Sequence, residues 1–315
     1  MRLALVGYGR IAPKHLEVYR ALGCDIVACC DSSKAARKRA AEEAGIPRTY
    51  AAIPEMIERE KPDGIVCCVS FDQTYNAGKV TFPLGVPTLL EKPPGTSVTE
   101  TLELTRLAER HRTPVMVGLN RRHYSVLRRA IEDAGGSEKI TAVSVGWSED
   151  VRAFLDRGFT IGQVSKMVFG NSLHGLNLLT FLAGAVPEPH VAVSSLGDPC
   201  RWMMSLHGVS ERGALATFNS TWDSPGPWSV TFCRPGRRYA FAPLETCVVS
   251  EAGTRATRTI EPDACDRQFK PGFHRQGRTF LEVIKTRQVP EQYTLASTIP
   301  SMKLAEKLTD ACMNA

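Results

Sequence analysis

The first residues of the chain contain a glycine loop of the kind that binds the phosphates of a dinucleotide. Residues 7–12 have the sequence G-Y-G-R-I-A and directly follow an apolar run at 3–6. In such a loop the first glycine permits a tight turn, the second lets the backbone approach a pyrophosphate, and a small third residue lets helix and strand pack closely. Backbone N–H groups at the start of the next helix then face the phosphates. The predicted contacts are Gly7, Tyr8, Gly9, Arg10 and Ile11.

An acidic residue stands where such a site would bind the ribose. Asp31 follows a second apolar run at 25–30, about 20 residues beyond the loop, and its carboxylate could accept hydrogen bonds from both ribose hydroxyls. The same carboxylate would repel a 2′-phosphate, so NAD is the expected cofactor. Hydroxyl and basic side chains follow closely and could accommodate that phosphate, which leaves NADP open. They are Ser32, Ser33, Lys34 and Arg37.

The elements that must position these residues alternate between strand and helix. Apolar runs predict strands at 3–6, 25–30, 65–69, 88–90 and 115–117, and helical patterns lie at 13–22 and 33–44. Ser97 and Glu100 have the spacing of a capping box, which predicts a helix from there to about residue 111. Alternating strands and helices imply right-handed crossovers and a doubly wound parallel sheet, a Rossmann fold.

The remainder of the chain has a different pattern. Helices are predicted at about 124–134 and 171–182, and two more at about 273–285 and 297–311 close the chain. Between Gly/Pro turns lie strand-like runs at 140–147, 190–195, 201–206, 214–221, 229–233, 238–241, 246–250 and 255–260. This pattern predicts a large, mostly antiparallel open sheet covered by helices.

Length and composition set the class of protein. At ~150 residues per domain, 315 residues predict two domains, which we place at 1–120 and 121–315, with the closing helices free to pack back on the first. The 43% apolar and 23% charged residues exclude an extensively disordered or fibrous chain. The net charge of +6 is spread along the chain without a basic stripe, so nucleic acid is not an expected partner.

Membrane, secretion and metal signals are missing from the sequence. No apolar stretch reaches the ~18 residues of a membrane helix, and the short apolar run at 3–6 is no signal peptide, so a cytoplasmic protein is expected. The ten cysteines show no C-x-x-C and no Cys/His metal spacing. We interpret them as reduced, buried thiols and expect no metal.

Further residues carry a resemblance to a known family. The triplet Glu91-Lys92-Pro93 follows a predicted strand, His15 follows the glycine loop, and residues 171–179 have the sequence N-S-L-H-G-L-N-L-L. With the loop and Asp31, this arrangement resembles the glucose–fructose oxidoreductase / inositol dehydrogenase / rhizopine-catabolism (Gfo/Idh/MocA) family along essentially the whole chain. Residues 91–95 and 117–125 are similar to a subgroup often associated with surface-polysaccharide and nucleotide-sugar biosynthesis.

The resemblance implies a fold and a reaction. A Rossmann domain would precede a substrate-binding and oligomerisation α/β domain, and a hydride would pass between NAD(P) and a hydroxyl or ketone of a sugar or nucleotide-linked sugar. Lys92 and His174 would transfer the proton, and Pro93 would follow a cis peptide bond. Ser70, Glu91, Lys92 and Asn120 would also contact the cofactor.

The resemblance also implies assembly through the open sheet, as a homodimer or homotetramer. The run 214–221 alternates apolar and polar residues, so edge or face pairing with a second copy is expected to cover it.

Departures from the family pattern keep other functions open. Gly170 and Asn177 stand where many members carry acidic residues around the histidine, so Asn171 or Asn177 would act as a neutral hydrogen-bond partner. Arg121 and Arg122 suit a phosphate or carboxylate of the substrate, or ion pairs at the domain boundary. The alternatives are a non-catalytic dinucleotide-binding sensor or partner subunit, or another reaction on this scaffold: dihydrodiol oxidation, imine reduction or glycoside cleavage with retained NAD.

Overall fold

The structure is a computed structural model that describes residues 1–226 and 228–315. The chain forms two compact units: unit one comprises Met1–His123 and Cys265–Ile299, and unit two comprises Tyr124–Ala264 and Pro300–Ala315. Within the described ranges, no helix is both long and apolar enough to cross a membrane. The sequence predicted a domain boundary near residue 120, and the first segment of unit one ends at His123. The later segment 265–299 also belongs to unit one.

Unit one opens with an alternation of strands and helices. Its elements are β1 (Arg2–Val6), α1 (Ala12–Ala21), β2 (Asp25–Cys30), α2 (Lys34–Glu42), β3 (Thr49–Tyr50), α3 (Ile53–Glu60), β4 (Gly64–Cys67), α4 (Thr74–Thr81), β5 (Thr88–Glu91), α5 (Val98–His111) and β6 (Val115–Gly118). Every strand predicted in this region is present, within a residue or two of its expected ends. The short strand β3 and the helices α3 and α4 were not predicted from the sequence.

The strands of unit one form a parallel sheet of six in the order β3-β2-β1-β4-β5-β6. The central strands are continuous apolar runs because helices cover both faces. Leu3 and Leu5 contribute to the core on one face, and Ala4 and Val6 to the core on the other. This confirms the predicted doubly wound sheet.

The capping box predicted at the start of α5 is half formed. Ser97 is the N-cap, and its Oγ accepts the N–H of Glu100 at 3.1 Å. The Glu100 carboxylate accepts the N–H of Thr96 at 2.6 Å instead of reaching back to the N-cap residue. The side chain therefore stabilises the chain before the helix, next to Gly95, which has a φ of +147°.

Unit two contains most of the remaining elements. They are α6 (Ser125–Asp133), β7 (Ala142–Gly146), α7 (Arg152–Asp156), α8 (Ile161–Val164), α9 (Leu173–Ala183), β8 (His190–Ser194), β9 (Met203–Val209), β10 (Leu215–Thr221), β11 (Ser229–Arg234), β12 (Arg237–Phe241), β13 (Cys247–Glu251) and β14 (Thr257–Ile260). Three helices close the chain: α10 (Ala264–Gln268), α11 (Phe273–Thr286) and α12 (Ile299–Met313). Helix α11 packs on α1 inside unit one, where Phe280 meets the ring of Tyr19 edge-on.

The sheet of unit two has eight strands in the order β14-β13-β12-β11-β7-β10-β9-β8. The β7–β10 pair is parallel and the others are antiparallel, which confirms the predicted, mostly antiparallel sheet. Helices α9 and α6 pack against the sheet, and alternate side chains such as Phe218 and Phe232 are buried. The intervening positions point to the opposite face, because side chains alternate along a strand.

One expected mode of assembly is excluded by this order. Strand β10 lies between β7 and β9, so both of its backbone edges are already hydrogen-bonded. Edge pairing of the run 214–221 with a second copy, one of the two modes expected from the sequence, is therefore wrong. Pairing of a second copy with the open face of the sheet, the other expected mode, is not affected by the strand order.

Candidate active site

The predicted cofactor residues follow strands of the parallel sheet. Because its strands run in one direction, their carboxyl ends meet at one edge of the sheet. The glycine loop follows β1, Asp31 follows β2, Ser70 follows β4, Glu91 ends β5 and Asn120 follows β6. The order of the strands reverses between β1 and β4. Ligands of open α/β sheets bind at such a switch point.

The two glycines of the loop serve different needs. Gly7 has a φ of +86°, and a Cβ there would lie 2.8 Å from the backbone nitrogen of Val69 and 2.9 Å from the carbonyl carbon of Cys68. The fold itself therefore requires glycine at this position. A Cβ on Gly9 would lie 3.8 Å from its nearest neighbour, the carbonyl oxygen of Cys68, which is an ordinary contact. The fold does not require glycine there, which fits a residue kept small for a ligand.

The carboxylate of Asp31 is fixed by the backbone on both sides. Its Oδ2 accepts the N–H of Tyr8, inside the glycine loop, at 2.8 Å, and its Oδ1 accepts the N–H of Ser33 at 2.8 Å. Each carboxylate oxygen has a further lone pair to accept another hydrogen bond. Asp31 is thus held beside the loop as an oriented acceptor, as ribose hydroxyls require.

A cavity of about 500 Å³ lies between the glycine loop and the ends of the neighbouring strands. Its volume is within the range of small-molecule sites. Five predicted cofactor residues contribute to its wall: Gly7, Tyr8, Gly9, Asp31 and Ser70. Arg39, Gln73 and Asn76 also contribute and were not predicted, because they come from helical segments whose spacing to the loop the sequence does not give. The wall fits the adenosine and pyrophosphate part of a dinucleotide.

Thiols also occur in the wall of this cavity, at Cys30 and Cys68. Burial raises the pKa of Cys30 to about 11 and that of Cys68 well above its ordinary value. Both are therefore protonated at neutral pH and are poor nucleophiles. No disulfide joins any of the ten cysteines, all of which lie in the described part of the chain, and most of them are buried.

Lys92 follows a buried pair of polar side chains at the end of β5. The His15 Nε2 and Glu91 Oε1 atoms are 2.7 Å apart, and both side chains are less than a tenth exposed. The other oxygen of Glu91 accepts the backbone N–H of Lys92 at 3.3 Å. The Lys92–Pro93 peptide is cis, as predicted. Glu91 therefore links the first helix after the glycine loop to the backbone that carries the lysine.

His174 lies in the first turn of α9 and is 6% exposed. The ring of Trp147 is 6.5 Å from its ring, centroid to centroid, and Trp147 stacks on Trp228 at 4.5 Å. The absence of a side chain at Gly175 lets the Trp147 ring pack against α9, since a Cβ there would lie 2.7 Å from that ring. Lys92 belongs to unit one and His174 to unit two, so their pairing stays a prediction.

The predicted residues around position 121 are buried in unit one. Asn120 donates from Nδ2 to the carbonyl of Pro271 at 3.0 Å. Arg122 donates from Nη1 to the carbonyl of Gln292, and its Nη1 lies 3.4 Å from Ser297 Oγ. Burial lowers the pKa of Arg122 to about 10. These bonds tie Asn120 and Arg122 to other segments of unit one, and Arg121 is also buried, so the predicted cofactor contact of Asn120 and the substrate contacts of the arginines stay predictions.

The two predicted asparagines of unit two have different surroundings. Asn177 is buried and donates from Nδ2 to Ser301 Oγ on α12 at 3.1 Å. Asn171 is partly exposed and donates from Nδ2 to Glu149 Oε2 at 2.5 Å. Glu149 was missed in the sequence, where it stands in an ordinary polar run after β7. In the structure its side chain is only 5% exposed, which distinguishes it from the other acidic residues of that run.

Comparison with known proteins identifies the family of the first domain. Residues 1–119 match the profile of the Gfo/Idh/MocA group, described as an oxidoreductase family with an NAD-binding Rossmann fold. Residues 1–119 of the 315 therefore have the NAD-binding domain of this family. This confirms the resemblance carried by the glycine loop, Asp31 and the Glu-Lys-Pro triplet, and it agrees with an NAD-binding first domain.

Individual relatives extend the comparison. The myo-inositol dehydrogenase Hyg17 of Streptomyces leeuwenhoekii is 32% identical over 129 residues, so the match covers 38% of this chain and 37% of the relative. The UDP-N-acetylglucosamine 3-dehydrogenase GnnA of Acidithiobacillus ferrooxidans has a TM-score of 0.83 at 16% identity, over 99% of this chain and 97% of its own. An Agrobacterium radiobacter oxidoreductase, solved with NAD+, L-tartaric acid and magnesium, has a TM-score of 0.81 at 14% identity, over 100% and 96%. The fold is therefore shared from end to end.

The position of Asp31 predicts the choice between the two nicotinamide cofactors. We expect wild type to prefer NAD over NADP at least ~10-fold in kcat/KM, about 1.4 kcal/mol, because a 2′-phosphate would meet a fixed carboxylate. Asp31→Ser should lower that preference, since Ser32, Ser33 and Arg39 also line the cavity. Asp25→Ser, at the exposed opposite end of β2, should leave the ratio unchanged. A wild-type preference for NADP would contradict this role of Asp31.

Proposed function

We propose that the protein is an NAD(P)-dependent oxidoreductase that acts on a hydroxyl or ketone of a sugar or nucleotide-linked sugar. The observation that carries the proposal is the arrangement at the carboxyl edge of the parallel sheet. Asp31 is held beside the glycine loop by two backbone hydrogen bonds, and the Glu-Lys-Pro triplet ends β5 of the same sheet. A dinucleotide site and a lysine on one rigid edge suit a dehydrogenase.

Lys92 and His174 are proposed as the proton-transfer pair. When bound, NAD would supply the hydride acceptor for the carbon that bears the hydroxyl, and the hydroxyl proton must leave to a base. In the oxidation direction the neutral amine of Lys92 accepts that proton, and His174 passes it on. In the reduction direction the Lys92 ammonium donates it to the forming alkoxide. The Glu91–His15 pair supports this role, because it fixes the backbone of Lys92.

The substrate class is proposed from the relatives and from unit two. Relatives are described as acting on myo-inositol and on a nucleotide-linked amino sugar, and both substrates are polyhydroxylated rings. Asn171, partly exposed three residues before His174, offers an amide to such a ring. Arg121 and Asn177 are buried and are weaker candidates for a substrate contact.

The proposal is tested by NADH formation at 340 nm with NAD and a panel of polyols, free sugars and UDP-sugars that includes myo-inositol and UDP-N-acetylglucosamine. Turnover of at least one ring hydroxyl is expected. Binding of NADH without turnover of any panel member would favour the sensor. Release of sugar from glycosides, with NAD retained and no net NADH, would favour glycoside cleavage.

We further propose that the protein assembles as a homodimer or homotetramer through the open face of the eight-stranded sheet. Thr217 lies on that face, since its neighbours Ala216 and Phe218 are fully buried on the other. Across the sheet it pairs with Ser144 of β7 and His207 of β9. Small and mixed side chains of this kind suit contact with a second sheet.

Sedimentation tests the assembly. At micromolar concentration we expect a species of at least twice the chain mass of 34.5 kDa. Thr217→Arg, which places a charge at the middle of the open face, should shift the distribution toward the single chain. Thr254→Arg, in the exposed turn after β13, is the matched control and should not. A single 34.5 kDa species for wild type would contradict the assembly.

A further inference from the structure

A buried carboxylate outside the predicted site stands next to the turn that begins α9. Glu149 is 5% exposed, and each of its carboxylate oxygens accepts a hydrogen bond from that turn. Asn171 donates from Nδ2 to Oε2 at 2.5 Å, and Ser172 donates from Oγ to Oε1 at 3.2 Å. Burying a carboxylate is costly, so hydrogen-bond donors at both oxygens are needed to stabilise it. Two of these donors belong to the turn that begins α9.

The segment that carries Glu149 is hydrogen-bonded to the neighbouring strand. Beyond the end of β7, Trp147 donates its N–H to the carbonyl of Asn219, and Glu149 donates its N–H to the carbonyl of Thr221, both at 2.8 Å. The chain here thus continues the ladder with β10. The same segment places the ring of Trp147 beside the ring of His174. The backbone of Glu149 therefore has the hydrogen bond that a strand residue would have at this position.

The turn that Glu149 contacts has unusual geometry. Residues Val168–Ser172 form a π-helical turn, in which the N–H of Leu173 donates to the carbonyl of Val168, five residues back. Ser172 precedes α9 as its N-cap residue, but its hydroxyl donates to Glu149 instead of capping the helix. Single π turns within helices occur frequently at functional sites. Here the turn sets the start of the helix that carries His174.

Both carboxylate oxygens of Glu149 act as acceptors, and this fixes the polarity of its partners in the turn. An ionised carboxylate only accepts hydrogen bonds, so Asn171 must present its NH2 group to Glu149. The amide oxygen of this partly exposed residue then faces away as an acceptor of fixed orientation. A glutamine at position 149 would allow either orientation of the Asn171 amide.

We propose that Glu149 is a positioning residue that acts through Asn171 and the π turn, so that Asn171 offers its amide oxygen to a hydroxyl of the substrate. The proposal rests on the proposed function for its kinetic consequence. Its structural part, a localised constraint on residues 168–174, can be measured without a substrate.

The first measurement is hydrogen–deuterium exchange of the full-length protein. Glu149→Gln should accelerate exchange at 168–174 by at least ~10-fold, because hydrogen bonds to a charged group contribute a free energy of that size. Exchange of the glycine loop should not change. Glu188→Gln, an exposed carboxylate of the same unit, is the control. If Glu149→Gln does not fold, Ser172→Ala removes one donor and should give a smaller acceleration at the same residues. Unchanged exchange at 168–174, or uniform acceleration throughout unit two, would overturn the proposal.

The second measurement is a double-mutant cycle in the oxidation of myo-inositol by NAD. Glu149→Gln and Asn171→Ala should each raise KM by ~10-fold or more with a smaller change in kcat, and NADH affinity should be unaffected. Because Glu149 acts through Asn171, the double variant should match Asn171→Ala within about twofold. Additive effects would overturn the proposal. Lack of turnover by wild type on the whole panel would instead contradict the proposed function, and exchange would still decide the role of Glu149.

Discussion

Lys92→Met is expected to lower turnover by ~10²–10⁴, the usual contribution of a general acid–base group. Methionine keeps the length and apolar stem of the side chain and removes the nitrogen that accepts or donates the proton. NADH affinity should change by no more than a few-fold, because Lys92 does not line the cavity beside the glycine loop that fits the adenosine part of the cofactor. Steady-state rates at saturating NAD, with a fluorescence titration of NADH, measure the two effects separately.

The control for this substitution is Lys285→Met on α11, an exposed lysine paired with Glu282 at 2.7 Å. It loses the same charge at the surface and should retain wild-type turnover, because surface ion pairs contribute little. Near-normal turnover of Lys92→Met would mean that the Glu-Lys-Pro triplet only shapes a loop.

Gly9→Ala is expected to lower NADH affinity by at least ~10-fold, about 1.4 kcal/mol, with an unchanged melting temperature. The added Cβ meets only an ordinary contact in the protein, but it projects where the backbone must approach a pyrophosphate. Calorimetric titration with NADH and a thermal melt test the two parts. Lost stability with unchanged affinity would contradict this role of Gly9.

Gly7→Ala should behave in the opposite way. Its φ of +86° and the backbone atoms within 3 Å of the added Cβ predict a loss of about 1–3 kcal/mol in stability, whether or not NADH is present. Gly23→Ala separates the two causes, because Gly23 has a φ of +74° with nothing within 4 Å of its Cβ. A loss at Gly23 equal to that at Gly7 would remove the steric part of the explanation.

The sequence predicts the fold well because its signals are local. Apolar runs such as Leu3–Val6 and helix ends such as Gly23 depend on neighbouring residues, and the helix and strand periods identify them. Helices α3 and α4 were missed, since their short sequences contain Pro54 and Gly78, which usually interrupt a helix. Pro54 lies in the first turn of α3, where proline is tolerated.

The part of the site that was predicted from the sequence is the part that belongs to a motif. Gly7, Gly9 and Asp31 belong to a pattern with fixed spacing, and they meet in one cavity. Arg39 in the cavity wall and Glu149 beside α9 were not predicted, because their roles depend on contacts between segments far apart in the chain. The paired arginines were predicted to contact a phosphate or carboxylate of the substrate, or to form ion pairs at the domain boundary. Arg122 is buried and donates to Gln292, with Ser297 nearby, contacts that the sequence does not reveal.

The central claim, that Lys92 and His174 transfer the proton as a unit, is tested most directly by their double-mutant cycle. Turnover of wild type, Lys92→Met, His174→Ala and the double variant would be measured at saturating NAD and substrate. His174→Ala should lose less than Lys92→Met, and the double variant should lose less than the product of the single losses, because residues that act together are non-additive. Single losses that multiply in the double variant would contradict the claim.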